Sequence, residues 1–122
     1  MASVKYNIKI ERGADKVIPI RWGVNSTITG VFEPYNLTGC TARLQVRAEV
    51  GSVAVLDEMT TANGRIVIDT INKKISLIFP NAWSTAALWS DGMYQLELID
   101  SAALVHRLVY GTITIDQEST RA

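Results

Sequence analysis

The segment of residues 35–47 constrains the fold of this chain more than any other, because a turn motif there leads directly into a strand. Every second side chain of the strand is apolar: Ala42, Leu44 and Val46. The residues between them are polar, as the period of two in a β-strand with one buried face requires. Turn-forming residues precede the strand: Pro34, Asn36 and Gly39. The segment therefore predicts a turn followed by a half-buried strand.

Similar alternation predicts further strands along the chain. They lie within residues 4–10, 17–22, 41–48, 52–59, 65–70, 74–79, 94–98 and 104–116. The dipeptide Asn63-Gly64 favours a tight hairpin turn between the strands on either side of it. The next turn, at Asn72, adds residues 74–79 as the third strand of a meander. Residues 23–39 are predicted to be mostly loop, with at most a short strand at 28–32.

Two residues indicate irregular strands. Pro19 has no N–H to donate, so the strand within residues 17–22 is predicted to lie at a sheet edge or to carry a bulge. In residues 104–116 the apolar side chains change parity around Gly111. A β-bulge at Gly111 would bring both sets of side chains to one face, and we predict one there.

Residues 82–89 predict one short helix. The stretch is rich in alanine, Asn81 is a suitable N-cap, and residues 90–92 favour its end. With eight or so short strands, this favours an all-β fold, either an antiparallel β-sandwich or a jelly-roll-like domain, because a parallel α/β sheet needs long crossover helices. We expect residues 1–118 to form a single domain and residues 119–122 a short polar C-terminal tail.

The charge balance bears on the classes of partner. Twelve Lys and Arg balance twelve Asp and Glu, so the formal net charge is zero and the pI is near 6.6. Nucleic-acid-binding domains typically have a pI above about 9, so neither DNA nor RNA is an expected partner. The sequence has no polybasic arm and no apolar run of the ~18 residues that span a bilayer, so no membrane association is expected. A net charge near zero favours self-association.

Few side chains are suited to catalysis or metal binding. The chain has one histidine, His106, and one cysteine, Cys40. His106 is expected at a surface or edge without a carboxylate at ligand spacing, and Cys40 in a core or turn of a protein made in a reducing compartment. Asp57 and Glu58 are adjacent, and neighbours on a strand point to opposite faces, so they are poorly placed to share a metal ion. No catalytic, cofactor-binding or metal-binding residue is assigned, and we do not expect an enzyme.

Aromatic and arginine side chains allow two interpretations. Five aromatic residues are candidates for either a sugar-binding platform or core packing and interface anchoring: Trp22, Tyr35, Trp83, Trp89 and Tyr94. Core packing is the favoured alternative. Three arginines are predicted to line one wet sheet face, where solvation is favoured over an anion site: Arg43, Arg47 and Arg107.

Four segments carry a resemblance to a known class of protein. They are Ile10-Glu11-Arg12-Gly13-Ala14-Asp15, Tyr35-Asn36-Leu37-Thr38-Gly39 leading into Ala42-Arg43-Leu44-Gln45-Val46-Arg47, Gly92-Met93-Tyr94-Gln95-Leu96-Glu97-Leu98, and Arg107-Leu108-Val109-Tyr110-Gly111. In this order they resemble the small β-sandwich modules of tailed-bacteriophage and prophage virions. The N-terminal domain of baseplate upper proteins is one such module, and decoration-type modules are another.

The resemblance implies a non-enzymatic structural protein of the virion, synthesised in the bacterial host cytoplasm. It would dock on neighbouring virion subunits, either as a capsid decoration or cement protein or as a tail or baseplate component, without a cofactor. Candidate contact regions are the loop of residues 23–39, the edge strand with Pro19 and the C-terminal tail. The alternative is a glycan-binding module that uses exposed aromatic side chains.

Overall fold

A computed structural model of the chain describes residues 4–25, 30–48 and 55–116. In chain order the elements are β1 (Val4–Lys5), β2 (Ile8–Glu11), β3 (Lys16–Ile20), β4 (Gly23–Asn25), β5 (Phe32–Pro34), β6 (Thr41–Arg47), β7 (Asp57–Thr60), β8 (Ile66–Asp69), β9 (Lys74–Phe79), α1 (Asn81–Ala86), β10 (Asp91–Ile99) and β11 (Val105–Asp116). Strands dominate, with one short helix in the described part. The all-β, sandwich-like prediction is confirmed.

The described strands form two sheets and a separate ribbon. The large sheet has the strand order β1-β11-β10-β6-β7, and β2 also pairs with β11. The small sheet has the order β3-β9-β8, and β4 pairs with β5 in a two-stranded ribbon. Most neighbours are antiparallel as predicted, but β1 and β2 run parallel to β11. Alternation of side chains gives a strand its two faces and says nothing about the direction of its neighbour, so the sequence did not predict this parallel pairing.

The core lies where the apolar faces of the sheets meet. The predicted alternation is confirmed in the central strands, where Leu44, Leu77 and Leu96 are almost completely buried. The predicted edge position of Pro19 is also confirmed, because among the described strands β3 pairs with β9 alone. Sequence alternation was therefore a sound guide to the buried face of the central strands.

The predicted hairpin at Asn63-Gly64 is wrong. Strand β7 pairs with β6 in the large sheet, whereas β8 pairs with β9 in the small sheet, so the segment between them crosses from one sheet to the other. Asn63 Oδ1 accepts hydrogen bonds from the N–H groups of Thr60 and Arg65, and Gly64 has a φ of 79°. The dipeptide does form a turn, but a turn does not determine which strands pair. The three-stranded meander is reduced to the β8–β9 pair.

The predicted bulge at Gly111 is also displaced. Leu96 lies opposite Val109 and Glu97 lies opposite Arg107, so Leu108 is the extra residue. Leu108 and Val109 are both buried as a result. Gly111 is required for another reason, since a Cβ there would collide with the carbonyl oxygen of Tyr6. The bulge thus lies three residues before Gly111 and brings Leu108 to the buried face with Ile113 and Ile115, whereas Tyr110 stays exposed.

The helix α1 is shorter than predicted, ending at Ala86 instead of residue 89. Its N-cap is Pro80 and not Asn81, and the Asn81 N–H donates to Asp15 Oδ1 at 2.6 Å. Arg12 Nη1 donates to the carbonyl oxygens of Ser84 and Ala87, at 2.8 and 3.0 Å. Residues of the turn after β2 therefore form hydrogen bonds with backbone groups at both ends of the helix. These distant partners explain why the local sequence did not predict the limits of the helix correctly.

Two further expectations need correction or fall outside the structure. Residues 23–39 contain more strand than the single short one expected, because β4 and β5 pair there with Val24 opposite Glu33; the other described residues of this segment are loop and turn. Part of the short strand expected at 28–32 lies outside the described residues, and the observed strand is Phe32–Pro34. The C-terminal tail of residues 119–122 also lies outside the described residues.

Candidate docking groove at an open edge

An apolar groove of about 510 Å³ lies where an edge of the large sheet faces an edge of the small sheet. Val4 and Tyr6 form its wall on the large sheet, and Ile18 and Ile20 of β3 form the opposite wall. Leu108 and Val109 of β11 also line it. Trp22 and Phe32 contribute aromatic surface from the segment that leads into the ribbon and from β5. We call this feature the edge groove.

The floor of the edge groove follows from the bulge in β11. In a regular strand Leu108 and Val109 would point to opposite faces, but the extra residue lets both be buried. Two adjacent apolar side chains therefore line the groove at a place where neither adjoining sheet continues.

The wall on the large sheet is fixed by hydrogen bonds around the break between β1 and β2. Tyr6 N–H donates to the Tyr110 carbonyl at 2.8 Å, and Tyr94 Oη donates to the Tyr6 carbonyl at 2.5 Å. Asn7 Oδ1 accepts from the Thr112 N–H at 3.1 Å. Burial raises the pKa of Tyr94, so its hydroxyl stays a donor at neutral pH. The break is thus a defined structure that holds Val4 and Tyr6 at the groove.

Much of the apolar surface around the groove is open to solvent. Val4 is 63 % exposed, Tyr6 45 % and Phe32 40 %, whereas Ile18 is buried. Apolar side chains that lie together and remain exposed mark a protein interaction site more reliably than scattered ones. The groove has that character, with buried residues at its base and exposed ones at its rim.

Arg21 is the charged residue among those that line the groove. Its guanidinium makes no ion pair with any residue in the described ranges. Arg65, by contrast, has a partner in Asp57, and Arg43 has one in Glu97. A cation at the rim of an apolar groove can select a partner that carries a negative charge.

Trp22 makes two aromatic contacts. The centre of its ring lies 4.5 Å from that of Tyr35, edge to face, and 4.8 Å from that of His106. His106 Nε2 lies 2.8 Å from Asp100 Oδ2. The hydrogen bond from His106, followed by those from backbone N–H groups including Leu104, lowers the pKa of Asp100. This chain of contacts links the turn between β10 and β11 to one wall of the groove.

The contact between His106 and Asp100 corrects a sequence expectation. No carboxylate stands at ligand spacing from His106 in the sequence, yet Asp100 lies across the turn, six residues earlier, and contacts it. The sequence did contain a signal, because both residues flank a turn between two predicted strands. Hairpin geometry brings such residues close together.

The aromatic residues singled out from the sequence do not come together on one surface. Tyr94 is buried in the core. The centre of the Trp83 ring lies 5.4 Å from that of Phe79, the last residue of β9, and 6.0 Å from that of Trp89. Trp22 and Tyr35 do meet, but their planes cross at 64°. Sugar platforms need an exposed, accessible ring face, and this arrangement favours packing.

The predicted arginine face exists. Arg43 of β6 and Arg107 of β11 both lie opposite Glu97 of β10, and Arg43 Nη2 is 2.7 Å from Glu97 Oε1. Arg47 shares the parity of Arg43 on β6 and lies opposite Met93. Glu97 thus places a negative charge between the two opposing arginines on this face.

Asp57 and Glu58 have separate partners. Asp57 pairs with Arg65, while Glu58 Oε2 accepts from Gln45 Nε2 at 2.7 Å. Among the described residues no group of three His, Cys, Asp or Glu side chains is placed to hold a metal ion. Burial raises the pKa of the Cys40 thiol, which disfavours the reactive thiolate.

The edge groove contains residues from two regions that were separate in the sequence-based predictions. Pro19 belongs to the predicted edge strand and Phe32 to the predicted loop of residues 23–39, and both line the groove. Sequence reasoning missed Val4, Tyr6 and Arg21 as contributors. Their exposure depends on where the two sheets part, which alternation along the chain does not encode.

Comparison with known proteins found no matching family model and no matching curated protein. None of the helical structure described here is long and apolar enough to cross a membrane.

Proposed function

We propose that this chain is a non-enzymatic structural protein of a tailed-bacteriophage virion that docks on neighbouring virion subunits through the edge groove. The observation that carries the docking role is the exposed apolar rim of the groove, above all Val4, Tyr6 and Phe32. The virion assignment rests on the sequence resemblance. In this role the protein acts in the assembled particle, after synthesis in the host cytoplasm.

The shape of the groove supports association with another protein. Interfaces typically have a buried apolar centre, in which aromatic and arginine side chains contribute most of the affinity. The groove offers Leu108 and Val109 at its centre, with Trp22, Phe32 and Arg21 around them. Repeated copies in a particle would add avidity to a modest single contact.

The first test compares wild-type and variant particles by quantitative mass spectrometry. The groove variant is Val4→Ser with Phe32→Ser, and the matched control is Ile71→Ser with Leu88→Ser, which changes two side chains that are more exposed still and lie outside the groove. We expect the groove variant to be depleted from purified particles at least about tenfold, and the control to be incorporated normally. Circular dichroism of both purified variants checks that each is folded.

The copy number of the wild-type chain then separates two placements. Abundance near that of the major capsid protein indicates a decoration or cement protein, whereas a small fraction of it indicates a tail or baseplate component. Absence of the wild-type chain from particles would overturn the virion role. In that case, binding to host polysaccharide that is lost in Trp22→Ala would establish the glycan-binding alternative.

A further inference from the structure

We infer that the edge groove receives an extended peptide segment from a partner protein, which pairs with the free edge of β3, inserts alternate aliphatic side chains into the groove and places a carboxylate near Arg21. This rests on the proposed docking role and specifies the chemistry of the partner. Its basis is the juxtaposition of three features of the groove: a strand edge and an arginine that have no strand partner and no ion-pair partner among the described residues, and an apolar wall with the period of a strand.

The hydrogen-bond pattern of the small sheet shows which backbone groups are available at the edge. Ile78 N–H donates to the Arg65 carbonyl at 2.9 Å, so the backbone groups of Ile78 point toward β8. The backbone N–H and C=O of the neighbouring residue Leu77 must then point toward β3, where Leu77 lies opposite Ile18. Val17 and Pro19 consequently direct their backbone groups away from β9.

Pro19 is therefore compatible with an added strand. It has no N–H, but its carbonyl and both backbone groups of Val17 face the open side, which gives one donor and two acceptors. Addition of a strand at such an edge is a common mode of peptide recognition, in which main-chain hydrogen bonds supply affinity and side-chain pockets supply specificity. A strand paired along the whole edge would lack one backbone hydrogen bond, at Pro19.

The apolar wall has the spacing that an added strand would match. Ile18 and Ile20 are two residues apart on β3 and both line the groove. A strand beside β3 would direct every second side chain to the same face, over Leu108 and Val109. Aliphatic residues at alternate positions would therefore fill the groove.

Arg21 supplies the charge selection. It follows Ile20 directly at the end of β3, where a paired peptide would pass. A carboxylate on the peptide would give its guanidinium a partly desolvated partner, and such charge-assisted hydrogen bonds are the strong ones. A small amphiphilic carboxylate would satisfy Arg21 and the apolar wall, but it would leave the edge of β3 unpaired. The unpaired edge favours a peptide.

A library of seven-residue acetylated and amidated peptides tests the inference on the purified full chain. Three alternate positions are fixed as valine, and the other four vary among Asp, Asn, Lys and Ser. We expect bound peptides to be enriched in Asp at one position, with replacement by Asn weakening binding at least about tenfold. A control library of the same composition with its valines contiguous should not bind. No binding by the alternating library, or enrichment without charge preference, would overturn the inference.

Charge reversal gives the sharper comparison. Arg21→Glu should switch the enriched residue from Asp to Lys, whereas Arg107→Glu, on the outer face of the large sheet, should leave the preference for Asp unchanged. A preference that does not switch would show that Arg21 is not the selecting group. Because Arg21 makes no ion pair within the described ranges, its substitution should leave the fold intact.

Hydrogen exchange tests strand addition directly. On peptide binding the Val17 amide should gain at least about tenfold protection, because its N–H acquires an acceptor. Decanoate is the comparison ligand: if it competes for the groove while no peptide protects Val17, the groove takes an amphiphile and the peptide inference is wrong. Peptide binding by a chain that is absent from particles would instead leave this inference standing and overturn the virion role.

Discussion

The two lateral edges of the sandwich are built differently. At one, β7 of the large sheet and β8 of the small sheet are joined by a short crossing segment, and Arg65 lies between them. At the other, the turn of residues 12–15 joins β2 to β3, and beyond that turn β1 and β3 face each other across the edge groove, with Arg21 at its rim. Each edge has an arginine, but only one of them has partners within the described structure.

Arg65 closes its edge through several contacts at once. Its Nε donates to the Ile78 carbonyl at 3.0 Å and its Nη2 lies 3.3 Å from Asp57 Oδ2. The guanidinium carbon is 4.8 Å from the centre of the Trp83 ring. Both members of the ion pair are largely buried. The side chain thus connects the two sheets and the helix end of the molecule.

The difference shows how a sandwich manages its exposed edges. An unpaired strand edge invites association, and proteins usually cover or interrupt it. At the β7–β8 edge Arg65 bridges the two sheets, whereas the β1–β3 edge keeps an open apolar groove between them and has Pro19 as its interruption. We therefore regard the second edge as the one left available to other molecules.

Replacing each of the two arginines should give the largest difference in stability between the two edges. Arg65→Ala should lower the free energy of unfolding by about 2–4 kcal/mol, because it leaves Asp57 without its partner in a largely buried place. Arg21→Ala should change it by less than about 0.5 kcal/mol. Urea denaturation of both variants measures the contrast. Equal losses would show that the two edges are not built differently.

Gly111→Ala should disturb the open edge alone. The added Cβ would meet the Tyr6 carbonyl oxygen and Asn7 Oδ1, so β1 must move, at a cost of about 1–3 kcal/mol. Thr112→Ala, at the next and exposed position, serves as the control. Hydrogen exchange should show faster exchange at Tyr6 and unchanged exchange at Ile78, whose N–H donates to the Arg65 carbonyl on the closed edge. Faster exchange at both would mean that the edges are coupled.

Tyr94→Phe removes the hydroxyl that holds the Tyr6 carbonyl. We expect a loss of about 1 kcal/mol, typical of one hydrogen bond, with the core otherwise unchanged. The diagnostic measurement is the local exchange of the Tyr6 amide, which should increase. Unchanged exchange there would show that the other contacts suffice to hold β1.

The smallest effect concerns pH. Because the folded-state pKa of Asp100 is lowered, its carboxylate stabilises the fold above the unfolded pKa of about 3.9, and this stabilisation is lost as the pH falls through the lower folded value. Asp100→Asn should therefore unfold at a lower urea concentration than the wild type at pH 7, and the gap should close on acidification below that folded value. Asp91→Asn is the control, since its carboxylate receives only a long contact from Ser90. A gap that persists at low pH would exclude the charge as its cause.

The sequence predicted the faces of the strands better than their partners. Leu44 and Leu96 were placed in the core because burial imposes a period of two on each strand by itself. The pairing of β7 with β6 and the parallel pairing of β2 with β11 depend on long-range competition between strands, so Asn63-Gly64 was misinterpreted as a hairpin.

The candidate site was predictable only in part. Pro19 marked an edge because its missing N–H is a local property, and Phe32 fell in a region already singled out. Arg21 and Arg65 are indistinguishable in sequence terms, and only the folded structure gives one of them partners. The helix end was misplaced because Arg12, more than 70 residues away, takes its carbonyl groups.

The pairing of β2 with β11 also determines when the first strands can pair during synthesis of the chain. Ile8 lies opposite Ile113, so the first strands cannot dock until nearly the whole described chain has left the ribosome. Contacts of such wide sequence separation form late because the loop that they close is long. The wall made by Val4 and Tyr6 therefore cannot form before β11 is available, and a nascent chain has no finished groove. If the chain docks as proposed, assembly must follow its own synthesis and folding.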